Sequence, residues 1–347
     1  MRISAGSRGL SRNGGNIHVH TEIPFITIQP RITRPISQSI PLASPEIRDA
    51  VFRELIKISP ASNYRDELVT GPGGLLSRGL LEQHTTSYGA LSPTNQQRAI
   101  LAGILDGYVR ANFPEHAQSH SGAGIIGVPG FWQELSGMVH IWKPRDYLMP
   151  LLVIPYKDAN GLIQACQIRL HANDISFNEK RYCWLSSPNE RHGTSSGTPI
   201  HFTFVKQKLP PGETVLITEG ALKADTVVRF RPNARVIATS GVTCSHSELV
   251  KAARAYTALI AFDADYRTNP AVCRQLARLI VQRVNDSREQ LRSTTNVLCW
   301  NGPKGIDDAV RANVRLRSLT ISEWYATLRN EPLDEVNRFW SEIGFKP

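Results

Sequence analysis

Three apolar runs in the second half of the chain each end in acid: VLITEG from Val215 to Gly220, ALIAFDAD from Ala258 to Asp265, and NVLCW followed by KGIDD from Asn296 to Asp308. A short β-branched run that stops at a carboxylate predicts a buried parallel strand. It delivers its acid to the carboxyl edge of a sheet, where α/β proteins place ligands. Around these runs the chain reads VLIT, ALKADTVVRF, RVIATSG, SELVKAARAY, ALIAFDAD, PAVCRQLARLIVQRV and NVLCW. Strands alternating with helices of about ten or more residues predict a doubly wound parallel sheet with right-handed crossovers. The expected fold class is therefore α/β: a Rossmann-like parallel sheet flanked by helices, preceded by a smaller α+β subdomain.

Residues 1–45 show little periodicity, carry Arg2, Arg8, Arg12, Arg31 and Arg34, and are broken by glycine and proline, which reads as a flexible basic arm. Within it His18 and His20 form a pair that lacks the further ligands a structural metal site needs. A helix is expected from Pro45 to about Leu81, with Ile47, Val51, Leu55 and Ile58 on one face, and another from Asn95 to Tyr108. Turn-rich GPGGLLSRGL holds Arg78, and GAGIIGVPGFW from Gly122 to Trp132 reads as a tight buried turn, since it has neither GxGxxG nor GK[ST]. PLLVIPY, a KDANG turn and LIQACQIRL form a β-hairpin signal, and EKRYCWLSSP adds a strand in which Lys180 and Arg181 stand beside Tyr182 and Trp184. That interleaving suits either a groove tracking a single nucleic-acid strand or an ordinary amphipathic edge strand. The expected domains are the arm at 1–45, the α+β subdomain at 46–205, the parallel-sheet domain at 206–312 and a helical segment at 313–347.

The chain's 347 residues include 40 Lys and Arg against 30 Asp and Glu, a formal charge of +10. That surplus suits a protein that meets phosphate backbones, although a GC-rich genome produces arginine excess as well. No apolar stretch approaches the roughly 18 to 20 residues that span a bilayer, so no membrane segment is expected. The five cysteines are scattered without a CxxC pair, which argues against a zinc ribbon and for reduced thiols in a cytoplasmic protein. Any metal here would rest on oxygen ligands.

Glu219 sits where a strand turns into a helix, with Gly220 letting the backbone bend sharply. A glutamate there can ligate a metal or shuttle a proton; it can also be an acid favoured by a helix dipole. Asp263 and Asp265 are alternate residues, so on a continuing strand they project to one side and can share Mg²⁺ or Mn²⁺. Two such ions about 4 Å apart would clamp the attacking and leaving oxygens of phosphoryl transfer. Asp307 either supplies a further ligand or caps the helix that begins IDDAVRA, and Lys223 offers positive charge to a phosphate.

Glu219 in TEGALKAD, with Asp263 and Asp265 in FDAD, resembles the signature of the TOPRIM domain shared by DnaG-type primases, topoisomerases and some nucleases. The hairpin followed by KRYCWLSSP looks like the primase segment that precedes TOPRIM, and SRGL with GVPGFW resembles the primase-like TOPRIM proteins of plasmids, phages and integrated elements, the DUF3854 type. The resemblance implies a TOPRIM parallel sheet after an α+β primase-like subdomain. It implies Glu219, Asp263 and Asp265 as catalytic residues and, with Asp307, as ligands of Mg²⁺ or Mn²⁺. Arg169, Lys180 and Arg181, with Lys223, then fall where basic residues hold template or nucleotide phosphates. The zinc-binding domain of a typical DnaG-type primase and a helicase GxxxxGK[ST] loop are both missing from the sequence. The implied activity is a primase-like nucleotidyltransferase making primers on single-stranded DNA during replication of a mobile element, with nucleotides as substrates and a separate replicative helicase as partner. A TOPRIM nuclease and a non-catalytic DNA-binding partner of a helicase are the alternatives.

Overall fold

A computed structural model describes residues 40–346 of the chain except 65, 82–86, 120–121, 176–179 and 288–293. The expected basic arm, including His18 and His20, lies outside the described residues up to 39. Ser44 opens the first helix, α1 (Pro45–Ile58), by accepting the Ile47 N–H at 3.4 Å, with proline in the first turn; Ile47, Val51, Phe52, Leu55 and Ile56 are buried. The helix ends at Ile58 rather than near Leu81. Pro60 cannot extend it, and the glycines of GPGG fold residues 66–79 into successive turns against the backbone of Glu67 and Leu68. β1 (Gly89–Leu91) follows, then α2 (Asn95–Asn112), α3 (Pro114–Ser119) and the small hairpin β2 (Phe131–Gln133) and β3 (Val139–Ile141).

β4 (Leu151–Lys157) and β5 (Ile163–Arg169) form the expected hairpin, and β6 (Tyr182–Trp184) adds to its edge. The Asp158 carboxylate holds the turn by accepting the N–H groups of Asn160 at 2.8 Å and Leu162 at 3.0 Å, while Gly161 takes φ +84°. The resulting antiparallel sheet runs β1-β4-β5-β6 and carries α1 against β5. Both central strands are almost wholly buried, because α1 covers one side and Leu152, Ile154 and Tyr156 pack into a second cluster on the other.

The second half is a doubly wound sheet. Its elements are β7 (His201–Phe202), β8 (Thr214–Glu219), α4 (Ala221–Phe230), β9 (Val236–Thr239), α5 (His246–Ala253), β10 (Thr257–Ile260) and α6 (Pro270–Ser287). They continue as β11 (Thr295–Cys299), α7 (Ile306–Arg311), β12 (Arg317–Thr320), α8 (Ile321–Thr327) and α9 (Asn330–Glu342). Strand order is β12-β11-β10-β8-β9-β7, with β11, β10, β8 and β9 parallel and an antiparallel strand at each edge. Alternation along β8 sends Val215 and Ile217 to a core shared with α5, α6, α8 and α9, and Leu216 to the opposite core under α4 and α7. Helices therefore cover both faces. Among the described residues no helix is long and apolar enough to cross a membrane, and the five cysteines are free thiols.

The two sheets belong to one compact unit, Ser39–Pro347, and share a cluster in which Leu152, Ile154 and Tyr156 meet Ala221 and Leu222 of α4. The last helices dock rather than trail. Thr320 and Glu323 form a capping box at α8, Trp324 and Trp340 are buried edge to face with ring centres 6.2 Å apart, and Arg274 of α6 holds Glu335 of α9 at 2.6 Å. Trp324→Ala should lower the unfolding free energy by about 3–5 kcal/mol, measured as a shift of the urea midpoint with far-ultraviolet dichroism unchanged in the native baseline.

Candidate active site

Parallel pairing of β8 with β10, with Ile217 opposite Ile260, brings the end of one strand beside the end of the other. Glu219 is the last residue of β8. Gly220, at φ +81°, turns the chain into α4, a conformation that favours glycine. β10 stops at Ile260, and Asp263 and Asp265 lie beyond it, at the head of and within a 3-10 turn over Ala264–Arg267. The two aspartates therefore do not alternate on a continuing strand. They share a neighbour because the turn folds both toward Lys304, whose Nζ lies 2.8 Å from Asp265 and 3.9 Å from Asp263.

Lys223, one helical turn after Glu219, reaches back so that its Nζ donates to Glu219 at 2.7 Å and to Asp263 Oδ1. Burial pushes the Asp263 carboxyl up to about 6, opposed by Lys223 and reinforced by the Glu219 charge. Burial works against ionisation of Glu219 too, yet the adjacent Lys223 ammonium holds it below the usual carboxylate range. Lys223 in turn is raised, because the two carboxylates outweigh its desolvation. As placed, then, Lys223 is the counter-ion of the acids rather than an open phosphate contact.

Asp307 stands in the first turn of α7, 1% exposed, with its Oδ2 on the guanidinium of Arg78. It does not cap the helix, whose N-cap is Gly305. A Cβ at Gly305 would collide with Asp307 Oδ1 and lie 3.6 Å from Asp263 Oδ1, so the glycine leaves these two carboxylates room on one patch of backbone. Asp308 is half exposed and bonds Arg311 at 2.9 Å, apart from the cluster.

Among the described residues no three acids stand as a ready-made metal-ligand set; amines and a guanidinium lie among them instead. The donor chemistry nevertheless fits a hard divalent cation. All donors are oxygen, and Asp265 Oδ1 and Asp307 Oδ1 are buried acceptors with no hydrogen-bond partner among the described residues.

Beside the acids opens a cleft of about 210 Å³ lined by Arg78, Ile154, Gln167, Tyr182, Glu219, Lys223 and Ser240 among others. Arg169, at the end of β5, is nearly buried beneath the Tyr182 ring, 5.8 Å from its centre. Its Nη1 and the Nε of Arg78 donate to the same carbonyl, that of Gly73, at 3.1 and 3.0 Å. Lys180 and Arg181 are exposed at the start of β6, outside this cleft. Arg78 and Lys304, both without an assigned role in the sequence, are central to the observed site. The proximity of a glycine-flanked arginine to an acid 229 positions away has no local sequence signal.

Behind α4 a second polar group ties the sheets together. Asp225 accepts from Tyr88 Oη and from His201 Nε2 at 3.1 Å, and His201 Nδ1 accepts the Lys157 N–H at 3.1 Å, which places the proton of a neutral ring on Nε2. Burial opposes the Asp225 charge, but His201 and Tyr88 hold its carboxyl below the usual range.

No protein-family model matches the chain, and no curated protein matches it. Solved structures do. The RNA polymerase domain of Mycobacterium tuberculosis primase DnaG aligns with a TM-score of 0.54 at 15% identity, over 87% of this chain and 95% of that one. The same domain in complex with a double-stranded DNA oligomer bearing a 6-nucleotide overhang aligns at 0.52 and 14% identity, over 88% and 94%. A DnaG primase catalytic domain bound to single-stranded DNA aligns at 0.50 and 13% identity, over 77% and 74%. The chain therefore has the fold of a primase catalytic domain, a mixed α/β architecture with a parallel-containing sheet flanked by helices.

Asp225→Asn should cost about 1–3 kcal/mol of stability. Because the folded carboxyl is depressed, its contribution is complete above the ordinary carboxylate pKa and is lost as pH falls through the lower folded value. The difference between wild type and variant in urea midpoint should accordingly shrink on going from pH 7 toward pH 3.

Proposed function

We propose that this chain is a metal-dependent, primase-like nucleotidyltransferase that joins nucleotides on a single-stranded DNA template, in the setting of mobile-element replication implied by the sequence resemblance. The observation that carries the reading is the gathering of Glu219, Asp263, Asp265 and Asp307 at the carboxyl edge of the parallel sheet, beside a cleft bounded by Arg78 and Tyr182. The primase-type fold and the DNA held by two of its structural neighbours support the substrate class.

The reaction is attack of a 3′-hydroxyl on the α-phosphorus of a nucleoside triphosphate: a new P–O bond forms, the bond to the β-phosphate bridging oxygen breaks, and pyrophosphate leaves. Mg²⁺ or Mn²⁺ held by Asp263, Asp265 and Asp307 would neutralise phosphate oxygens as they gain charge. Glu219, which lines the cleft, would be the acceptor of the hydroxyl proton. Arg78 faces the same cleft and offers a fork of donors to phosphate oxygens. Tyr182 offers an aromatic face against which a base can stack, and Arg169 beneath it fixes the ring. Lys180 and Arg181 are free to follow the template backbone from the exposed start of β6.

Incubating the full chain with single-stranded DNA, ribo- and deoxynucleotides, and Mg²⁺ or Mn²⁺ tests the proposal. New oligomers are expected; cleaved template would mean that water is the nucleophile and the protein is a nuclease, and neither product would leave only DNA binding. Asp263→Ala should reduce synthesis by roughly 10²–10³-fold, whereas Asp308→Ala, outside the cluster, should stay within about twofold. Replacing Lys180 and Arg181 together by alanine should flatten the log–log salt dependence of single-strand binding by about 1.4, the value for two phosphate contacts, as read by fluorescence anisotropy.

A further inference from the structure

Gln167 lines the cleft but has no part in the chemistry above. It is 6% exposed and sits on β5 between Ile154 of β4 and Trp184 of β6. The Tyr156 hydroxyl donates to its Oε1 at 2.9 Å. That tyrosine is fully buried, and burial pushes its pKa up, so it keeps its proton. A buried O–H needs an acceptor, and among the described residues Gln167 Oε1 is the one Tyr156 has. The amide is thereby fixed: Oε1 is turned to Tyr156, and Nε2, with no hydrogen-bond partner among the described residues, is left to the cleft. Tyr156 itself is held by ring contacts with Trp184 and His201, at 4.7 and 5.7 Å between centres.

The pairing of Arg169 with Tyr182 and of Gln167 with Trp184 sets Tyr182 and Gln167 diagonally on one face of the sheet. Such neighbours stand roughly 7 Å apart, a separation that a base stacked on the Tyr182 ring can span with its edge. Phosphate oxygens have the Arg78 guanidinium in the same cleft, whereas a neutral donor between Ile154 and Trp184 suits an uncharged acceptor. We propose that Gln167 is a specificity-determining residue: able only to donate, it takes a keto oxygen on the edge of the base held against Tyr182, and so favours guanine, uracil or thymine over adenine and cytosine. The latter two carry an amino group at the corresponding place, which would set donor against donor. Tyr156 is the positioning residue, since its hydroxyl decides which way the amide points. The inference rests on the reading of the cleft as a nucleotide site, and the base it concerns belongs either to an incoming nucleotide or to the template.

The two sources are separated by titrating the full chain, in Mg²⁺, with GTP, UTP, ATP and CTP by calorimetry, and with short labelled dT and dA strands by fluorescence anisotropy. Gln167→Met, near in length but unable to donate, should weaken the keto ligands (GTP and UTP, or the dT strand) about fivefold and leave the amino ligands (ATP and CTP, or the dA strand) within about twofold. The arm in which the loss falls identifies the base that is read. Tyr156→Phe, outside the cleft lining, should lower the same keto-to-amino ratio by at least about twofold, because the amide is then free to turn. Equal loss for keto and amino ligands in folded Gln167→Met would reduce Gln167 to a structural role and overturn the inference, as would no loss at all. Wild type that binds nucleotides or strands without a keto preference would sink the inference alone. Wild type that binds neither would sink the proposed function, and this inference with it. Should Gln167→Met fail to fold, the wild-type ratio and its fall in Tyr156→Phe decide the matter.

Discussion

Carboxylates delivered by neighbouring parallel strands repel one another, and the arrangement of the second half of the molecule depends on how that repulsion is met. At an effective dielectric of about 20, two unit charges roughly 4 Å apart interact by about 4 kcal/mol, a large share of a typical domain's stability. Here the answer is local and covalently provided: the helix that follows Glu219 begins at once, and its first turn returns an ammonium to the strand end. The sharp bend at Gly220 makes that return geometrically available. Lys304 and Arg78 complete the neutralisation from a loop and from the other half of the chain.

Because α4 carries the ammonium, whatever fixes α4 also fixes the acids. Its apolar stripe lies in the core under Leu216, its N-terminal residues Ala221 and Leu222 pack beneath β4, and Asp225 is held by Tyr88 and His201. The antiparallel sheet is therefore structural support for the site as well as one wall of the cleft. The residues that line that wall, Ile154, Gln167 and Tyr182, come from β4, β5 and β6 in turn.

The parts of this architecture that rest on local pattern were legible in the sequence. The runs ending at Glu219 and near Asp263 are the strands they resemble, and the KDANG turn and the helix from Asn95 hold, the latter extending to Asn112. Features decided by long-range packing were not. The edge strand β7 is too short and β12 too exposed to show alternation, the first helix stops where Pro60 forbids it to continue, and the DAD acids sit in a tight turn because β10 has already ended. Arg98 and Arg283 would be assigned to the surface from their charge, yet both are fully buried, with their guanidiniums donating to backbone carbonyls. The same holds at the site: the acids and Lys223 stand in short local motifs, but the pairing of Arg78 with Asp307 has no local signature.

The carbonyl of Gly73 has two lone pairs, and each receives one guanidinium, from Arg78 and from Arg169. Arg169 in turn lies under the Tyr182 ring. Arg78, which lines the cleft beside the acids, and Tyr182, which lines it through its ring, are thereby joined by way of Arg169 and a single backbone oxygen that no side-chain substitution can remove.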